Sequence, residues 1–540
     1  MVLGKQVVFV LVCASLLVLG LQSVVVVRAN FKPPPLPPVH ISSSGEVSSS
    51  EALISRSGYV YTLTGNWSST NILEVERSNI VIDGSGFFII GNGIGYGIVL
   101  RNVYNVSVLD VNFAKTNLGI YLENCSDVTI TGCSVTGGNY GVYMNGSKSN
   151  TISDNRFSTF TGIYLDHSGS NILRSNSIEA SHSSGYGLDF MVTGETLEDY
   201  TNDVDDSNLV NGEPIIYWVC RQDAVVPPNA SYVALVNCRA ITVQNQQISN
   251  TQGILVAWTT NSTVTNNLLH GDFNGIHVLH STNIVVSGNQ IWENNGMVSE
   301  GGGDGVKLAY SQFVTVANNQ VTENWNGGVT CINSSGNQLI GNIITRNWHN
   351  GISLVGGSDY NLIALNRLFN HSTNSRGAVY IEDSRNNYLI ANNLTDNGCW
   401  GIQLKGAQGN NTFYGNNFMN NSYKNTRFTP GALQVSTPGT ANGNSWDNGS
   451  FGNYWSDYEG LDANSDGIGD SPYYINPNNQ DNYPLMSLVS TSKVPLISPN
   501  LPSSMLSSLE FPVQQLPVIV VAVSASVAVV VAVGWKKRTR

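Results

Sequence analysis

Apolar and polar positions alternate along this chain in short bursts, each only a few residues long. The stretch Gly351–Asn366, GISLVGGSDYNLIALN, is typical: Gly-Ile-x-Leu, a polar corner, then Asn-x-Ile-x-x-Asn. A period of two puts alternate side chains on opposite sides of a strand. The Gly-Ile-x-Leu motif that leads each unit begins at Gly97, Gly119, Gly141, Gly162 and Gly187, and resumes at Gly253, Gly275, Gly305, Gly328, Gly351, Gly377 and Gly401. Apart from the gap between Gly187 and Gly253, the spacings run from 21 to 30 residues. Self-similarity at that period marks a solenoid, in which each unit buries its apolar side only against its neighbours. Frequent Gly and Asn among Thr, Val and Ile disfavour helices. The pattern predicts an all-β fold, a right-handed parallel β-helix solenoid of about twelve coils, each rising one strand spacing of about 4.8 Å. Corner Gly is expected to supply positive φ, and corner Asn to bond the coils above and below.

Where the pattern stops, other parts begin. Residues 1–29 read as a signal peptide: Lys5, an apolar run, then Val27-Arg28-Ala29. Residues 30–50 form a Pro/Ser-rich leader and 51–425 the β-helix. Residues 191–250 interrupt it as an insertion, acidic at first and expected to loop out as a strand-rich flap. The aromatic, turn-rich segment 426–486 reads as a C-terminal cap with an Asp-rich loop, and 487–515 as a stalk. Residues 516–535 are uncharged and long enough for a transmembrane helix, and the basic tail 536–540 is expected on the cytoplasmic side. These segments predict a single-pass cell-membrane protein with the bulk of the chain extracellular.

Charge narrows the partners. The net charge is -12, and the two basic ends carry some of the few cations. Nucleic acid is excluded, because duplex binding needs clustered Lys and Arg. Six cysteines remain after signal cleavage, with Cys125/Cys133 and Cys220/Cys238 close enough in sequence to pair. Twelve Asn-x-Ser/Thr sequons suit an exported glycoprotein.

The Gly-Ile-x-Leu coils, the segment NGEPIIYWV…VALVNCRAITVQN and the terminus GNYWSDYEGLDANSDGIGD…DNYPLM together resemble NosD-type parallel β-helix proteins, grouped with the carbohydrate-binding and sugar-hydrolase (CASH) domains and common as anchored surface proteins of archaea. The resemblance covers roughly Tyr59 to Met486 and implies a three-faced right-handed β-helix with an extracytoplasmic role. A copper-binding label describes one branch of that family. The seven Met and eight His here form no cluster, so copper is not expected.

Three constellations are candidates for chemistry. Asp462, Asn464, Asp466, the Ile468 carbonyl and Asp470 follow the spacing of an EF-hand-type loop, with Gly467 at its turn, and point to structural calcium. Tyr473 stands where the bidentate Glu would be, and the alternative is a run of Asx turns without metal. The third residue of each Gly-Ile-x-Leu motif is expected to point outward. There Tyr121, Tyr143 and Tyr164 make an aromatic strip that suits sugar stacking, or are ordinary strand tyrosines. Farther along, Asp189, His277 and Lys307, with Asp304 nearby, are the catalytic candidates, a set suited to a polysaccharide lyase, hydrolase or epimerase. The signatures of polygalacturonases and alginate epimerases are absent. The leading expectation is a non-catalytic, membrane-anchored β-helix protein binding polysaccharide or surface glycan. The alternatives are an enzyme on the same face and an accessory to metal or nutrient handling.

Overall fold

In the computed structural model, residues 39–48, 53–68, 73–179, 188–296, 301–372, 376–398, 400–406, 409–421, 434–438, 441–497 and 499–503 are described. The expected signal peptide and transmembrane helix lie outside them. Each coil carries up to three short strands, and each strand pairs in parallel with its equivalent one coil on. The strands that lead their coils, Tyr96–Arg101, Leu118–Glu123, Tyr140–Asn145 and Thr161–Asp166, stack into a first face, with Ile98, Ile120, Val142 and Ile163 in one inward row. The Asn-x-Ile segments, such as Thr129–Thr131 and Thr151–Ser153, form a second face. Strands such as Ser134–Thr136 and Arg156–Ser158 form a third. The solenoid has about 15 turns rather than twelve. Coils without a Gly-Ile-x-Leu motif also join it, among them Val39–Ile41, Leu73–Val75 and Tyr232–Val236. The leader segment thus already contains a strand.

Apart from Gly253, with φ 88°, the described glycines that open the lead strands are needed for close approach, not for positive φ. A Cβ on Gly305 would lie 2.3 Å from a Val321 methyl and 2.7 Å from the Gly328 carbonyl oxygen. Positive φ falls mainly to Asn, Asp, Ser and Gly at the corners, for example Asn318 at 56° and Gly341 at 67°. Immediately after such residues runs a column of buried amides: Asn267, Asn289, Asn319, Asn342, Asn366, Asn392, Asn416 and Asn453. From Asn289 on, each Oδ1 accepts the backbone N–H and the side-chain Nδ2–H of the Asn one coil earlier, as Asn342 does from Asn319 at 3.0 Å each, while Asn267 accepts from Gln246 N. The column ends on Asp481, whose Oδ2 accepts from Asn453 N at 2.7 Å and from Trp455 Nε1 at 2.9 Å.

The ladder is not one stack but two. At Asn211 and Gly212, with φ of 52° and 87°, the chain turns back, and Leu209–Val210 pairs antiparallel with Glu213–Val219. A right-handed coil that continues along a sheet with reversed strands must wrap the opposite side of that sheet. Accordingly Ile216, Val233 and Leu235 enter a second core, while the alternate residues Tyr217, Tyr232, Ala234, Val236 and Leu255 belong to the first and cover its end. Gln252 joins the stacks: its amide accepts from Val192 N at 3.1 Å and donates to Val192 O at 2.7 Å, replacing a missing strand neighbour.

Residues 191–250 therefore form no flap. They finish the first stack and begin the second. Their acidic start is structural: Thr196 and Asp199 make a capping box on the helix Leu197–Tyr200, and Asp203 and Asp205 pair with Arg174. The C-terminal cap closes the second core with aromatic rings. Trp446 stacks on Phe413 and Trp455 on Phe418, each at 4.3 Å. Residues of the expected stalk pack back on the coils, with Val489 N on Asn417 Oδ1 and Val494 buried beside Tyr414.

Candidate functional site

Register fixes which residues share the outward row on the second stack's lead face, the face built from its Gly-Ile-x-Leu strands. It runs Tyr217, Ala234, Leu255, His277, Lys307, Thr330, Ser353, Tyr380, Gln403, Ser436. The first three lie within the first stack's core, so the row is apolar there, and it turns polar at His277. Val379, expected in this row, points inward, because Ala378 rather than Gly377 takes the lead glycine place.

His277, Lys307 and Asp304 come together. The His277 Nε2 is buried without a hydrogen-bond partner. Burial, with Lys307 and His280 adding to it, pushes the imidazole down to about 3, so the ring is neutral. Lys307 Nζ donates to the Gly301 carbonyl at 2.6 Å, and burial lowers its pKa against the pull of Asp304. Asp304 immediately precedes the lead glycine Gly305. Its Oδ1 accepts from Thr330 Oγ1 at 2.7 Å and Gly327 N at 3.0 Å. Burial raises its pKa, while Lys307 and these donors oppose the rise. A neutral imidazole, an amine and a carboxyl held by fixed donors thus share one half-buried patch of the face.

Asp189 is not in this row. It takes the lead glycine place of its coil, next to Gly162, and Met191 takes the outward place beside Tyr164. The stretch between Ile178 and Phe190 is longer than the equivalent one in the coil before, between Phe157 and Ile163, which shifts the apparent motif. Asp189 donates its N–H to the Asn250 carbonyl at 3.2 Å, and its charge bears on Asp272. Asp272 is a site residue that the repeat pattern did not single out, as is Thr330. It stands in a second amide column, Asp272, Asn294, Asn324, Asn347, where the Nδ2 of Asn294 and of Asn324 reaches the next Oδ1 at 2.8 Å. Asp272 Oδ1 accepts from Thr251 N at 2.9 Å, and Oδ2 has no partner. Burial first, then Asp189, pushes its pKa well up, against the Thr251 donors that lower it, and Oδ2 stands where the other coils carry the Asn amide. The signal in the sequence was an Asp where the column calls for Asn.

The tyrosines on the first stack do line up. Tyr121, Tyr143 and Tyr164 are register neighbours, but their rings cover one another: Tyr143 and Tyr164 stack at 4.9 Å and 7°, and Tyr96 and Tyr140 fill the flanks. Tyr121 and Tyr143 are each 9% exposed, so the strip presents edges and hydroxyls rather than open ring faces.

The Asp-rich loop wraps as its spacing requires. Asp462 accepts from Asp466 N at 3.1 Å and Gly467 N at 2.9 Å, and Gly467 has φ +88°. Asp470, however, turns to Ala463 N at 2.8 Å. Among the described residues no three His, Cys, Asp or Glu side chains gather to hold a metal ion. Cys125, Cys133, Cys220, Cys238 and Cys331 are free thiols, so neither expected bridge forms.

Stacked three-faced coils with amide columns at the corners define a right-handed parallel β-helix repeat protein. The pattern of the family described as periplasmic copper-binding protein (NosD) matches residues 221–377 and 299–460, and that of right-handed β-helix regions matches 96–267. These matches support a NosD-type parallel β-helix repeat protein. No curated protein matches it. Among solved structures it is similar to the mannuronan C-5 epimerase AlgE6 A-module of Azotobacter vinelandii (11% identity, 69% of this chain, 89% of that one, TM-score 0.26). It is also similar to the periplasmic alginate epimerase AlgG (12%, 72%, 81%, 0.31). A third likeness is to DFA-IIIase of Arthrobacter chlorophenolicus A6 (11%, 66%, 85%, 0.33). Likeness at this level is to a repeated shape and assigns no chemistry.

Proposed function

We propose that this protein binds an acidic polysaccharide along the outward lead face of its second stack, at the patch formed by His277, Lys307, Asp304 and Thr330. The observation that supports the reading most is Lys307. An amine is half-buried, its ammonium on a backbone carbonyl, at a position where other coils hold Ser353 or Leu255. Burying a charged or titrating side chain is costly unless something uses it. A uronate carboxylate would complete the set, Lys307 meeting its charge and the Asp304–Thr330 pair its hydroxyls. We place the protein outside the cytoplasm on the strength of the sequence of residues 1–29 and 516–535, a placement tested by protease treatment of intact cells.

Binding of uronate oligosaccharides to the purified protein tests the reading. The expected result is saturable binding that Lys307→Ala weakens about tenfold or more, the loss of one charge-assisted contact. No binding, or binding indifferent to Lys307→Ala, overturns it. A second reading, a lyase or epimerase, is favoured by the neutral His277 with its buried, unpartnered Nε2 beside that amine. Release of unsaturated uronate or a change of epimer, lost in His277→Ala and Asp304→Ala, would establish turnover. Binding without turnover leaves the non-catalytic reading standing.

A further inference from the structure

A second cleft lies on the other side of the corner, against the third face of the second stack, and its chemistry is of the opposite kind. It has a volume of about 330 Å³ and is lined by Asn250, His270, Gly271, Glu293, Glu323 and Trp325, among others. Four of these descend from the repeat itself. Asn250, Gly271, Glu293 and Glu323 occupy one corner position in four successive coils, all with positive φ (59°, 69°, 53° and 57°), so their side chains leave the rod in one file. Gly271 contributes no side chain to that file, and Asn250 Oδ1 lies 2.9 Å from where its Cβ would be. At the far end stands Trp325, 45% exposed, stacked on Trp348 at 5.1 Å and 9°. One face of Trp325 is therefore taken by Trp348, and the indole also lines the cleft. On the flank, His270 stacks on Trp292 at 4.8 Å.

Charge decides what fits. Glu323 is held by Arg346 at 2.5 Å, whereas Glu293 is exposed and has no cation beside it among the described residues. An aromatic ring and an unneutralised carboxylate lining one cleft, with no free cation among its lining residues, disfavour uronates and suit a ring that is apolar on its C–H face and positively charged at its edge. A volume of this size is at the small end for ligand clefts and admits one sugar ring. We propose that this cleft binds a glucosamine-type amino sugar, with its ring on Trp325 and its ammonium on Glu293. The site is independent of the uronate reading. The two together would let one rod hold an anionic and a cationic glycan on adjoining faces.

The test titrates the full-length protein, in detergent, with glucosamine oligosaccharides and follows tryptophan fluorescence and calorimetry. Saturable binding is expected, weakened about tenfold by Trp325→Ala and by Glu293→Gln, the scale of one charge-assisted contact. N-acetylated oligomers, which lack the ammonium, are expected to bind about tenfold more weakly. Lys307→Ala and His277→Ala leave the binding unchanged, which separates this site from the lead face. Glu459→Gln, an exposed carboxylate in the cap, also leaves it unchanged. The proposal is overturned if glucosamine oligomers do not bind, if Trp325→Ala binds like the parent, if acetylated and free oligomers bind equally, or if Glu459→Gln weakens binding as much as Glu293→Gln.

Discussion

A carboxyl group standing in an amide's place changes what pH does to this protein. Asp481 closes the long Asn column, fully buried, and accepts four N–H bonds: two from Asn453, one from Trp455 and one from Tyr483. Burial pushes its pKa up to about 6, and the donors keep it from rising further. The unfolded value is about 3.9. The folded chain thus holds this proton more tightly, and stability falls as pH rises from about 4 to about 6, by up to about 3 kcal/mol, then levels off. Asp481→Asn removes the titration. Comparing the melting midpoints of the two proteins between pH 4 and 6.5, the parent is expected to lose ground with rising pH relative to the variant. Parallel curves would show that Asp481 ionises in the fold as it does in the unfolded chain.

At the scale of the coil, the amide columns and the lead glycines carry the stacking. Asn342 accepts from Asn319 N and Nδ2, and donates to Val316 O at 2.8 Å and Asn366 Oδ1 at 2.9 Å. Asn342→Ala strands two buried donors and one acceptor away from water, at about 1–3 kcal/mol for each unsatisfied group. Denaturant unfolding is expected to show a loss of roughly 3 kcal/mol or more, among the largest for a single substitution. Spacing and composition announced the columns, since Asn recurs once per coil at the same offset. They did not announce the reason for the lead glycine. Positive φ is a local property that a sequence can hint at, whereas the clash with Val321 and the next coil's carbonyl exists only once coils are stacked.

The whole molecule is two rods joined through a reversal. Phe190, Val192 and Tyr200 at the end of the first stack are covered by Tyr217, Tyr232 and neighbouring residues of the second, with Phe190 and Tyr232 rings 5.3 Å apart. A solenoid needs its terminal coils covered to stay soluble. Residues 39–211 expressed alone are therefore expected to self-associate, and light scattering or size exclusion reads this directly. A monomeric, folded fragment would mean that the junction is not the cap of the first stack. The same junction sets where the candidate face begins, because the first members of the outward row are spent on it and His277 is the first polar one.

Taken alone, the sequence determined the unit: a period of two inside strands, a coil of roughly 22 residues, Asn and Gly at corners, and an aromatic cap. These are properties of neighbours along the chain, and periodicity records them faithfully. It also placed His277, Lys307 and Asp304 in one neighbourhood, because consecutive coils keep register. Only the tertiary structure decided the rest. Asp189 left the outward row for a lead glycine position, since one longer coil shifted the apparent motif. The expected flap became a reversal, since strand direction depends on pairing and not on composition. Tyr121, Tyr143 and Tyr164 spent their ring faces on one another. Trp325, Glu293 and His270, unremarkable in the sequence, were gathered into one cleft because residues some 22 to 30 apart in the chain lie a single strand spacing apart in space.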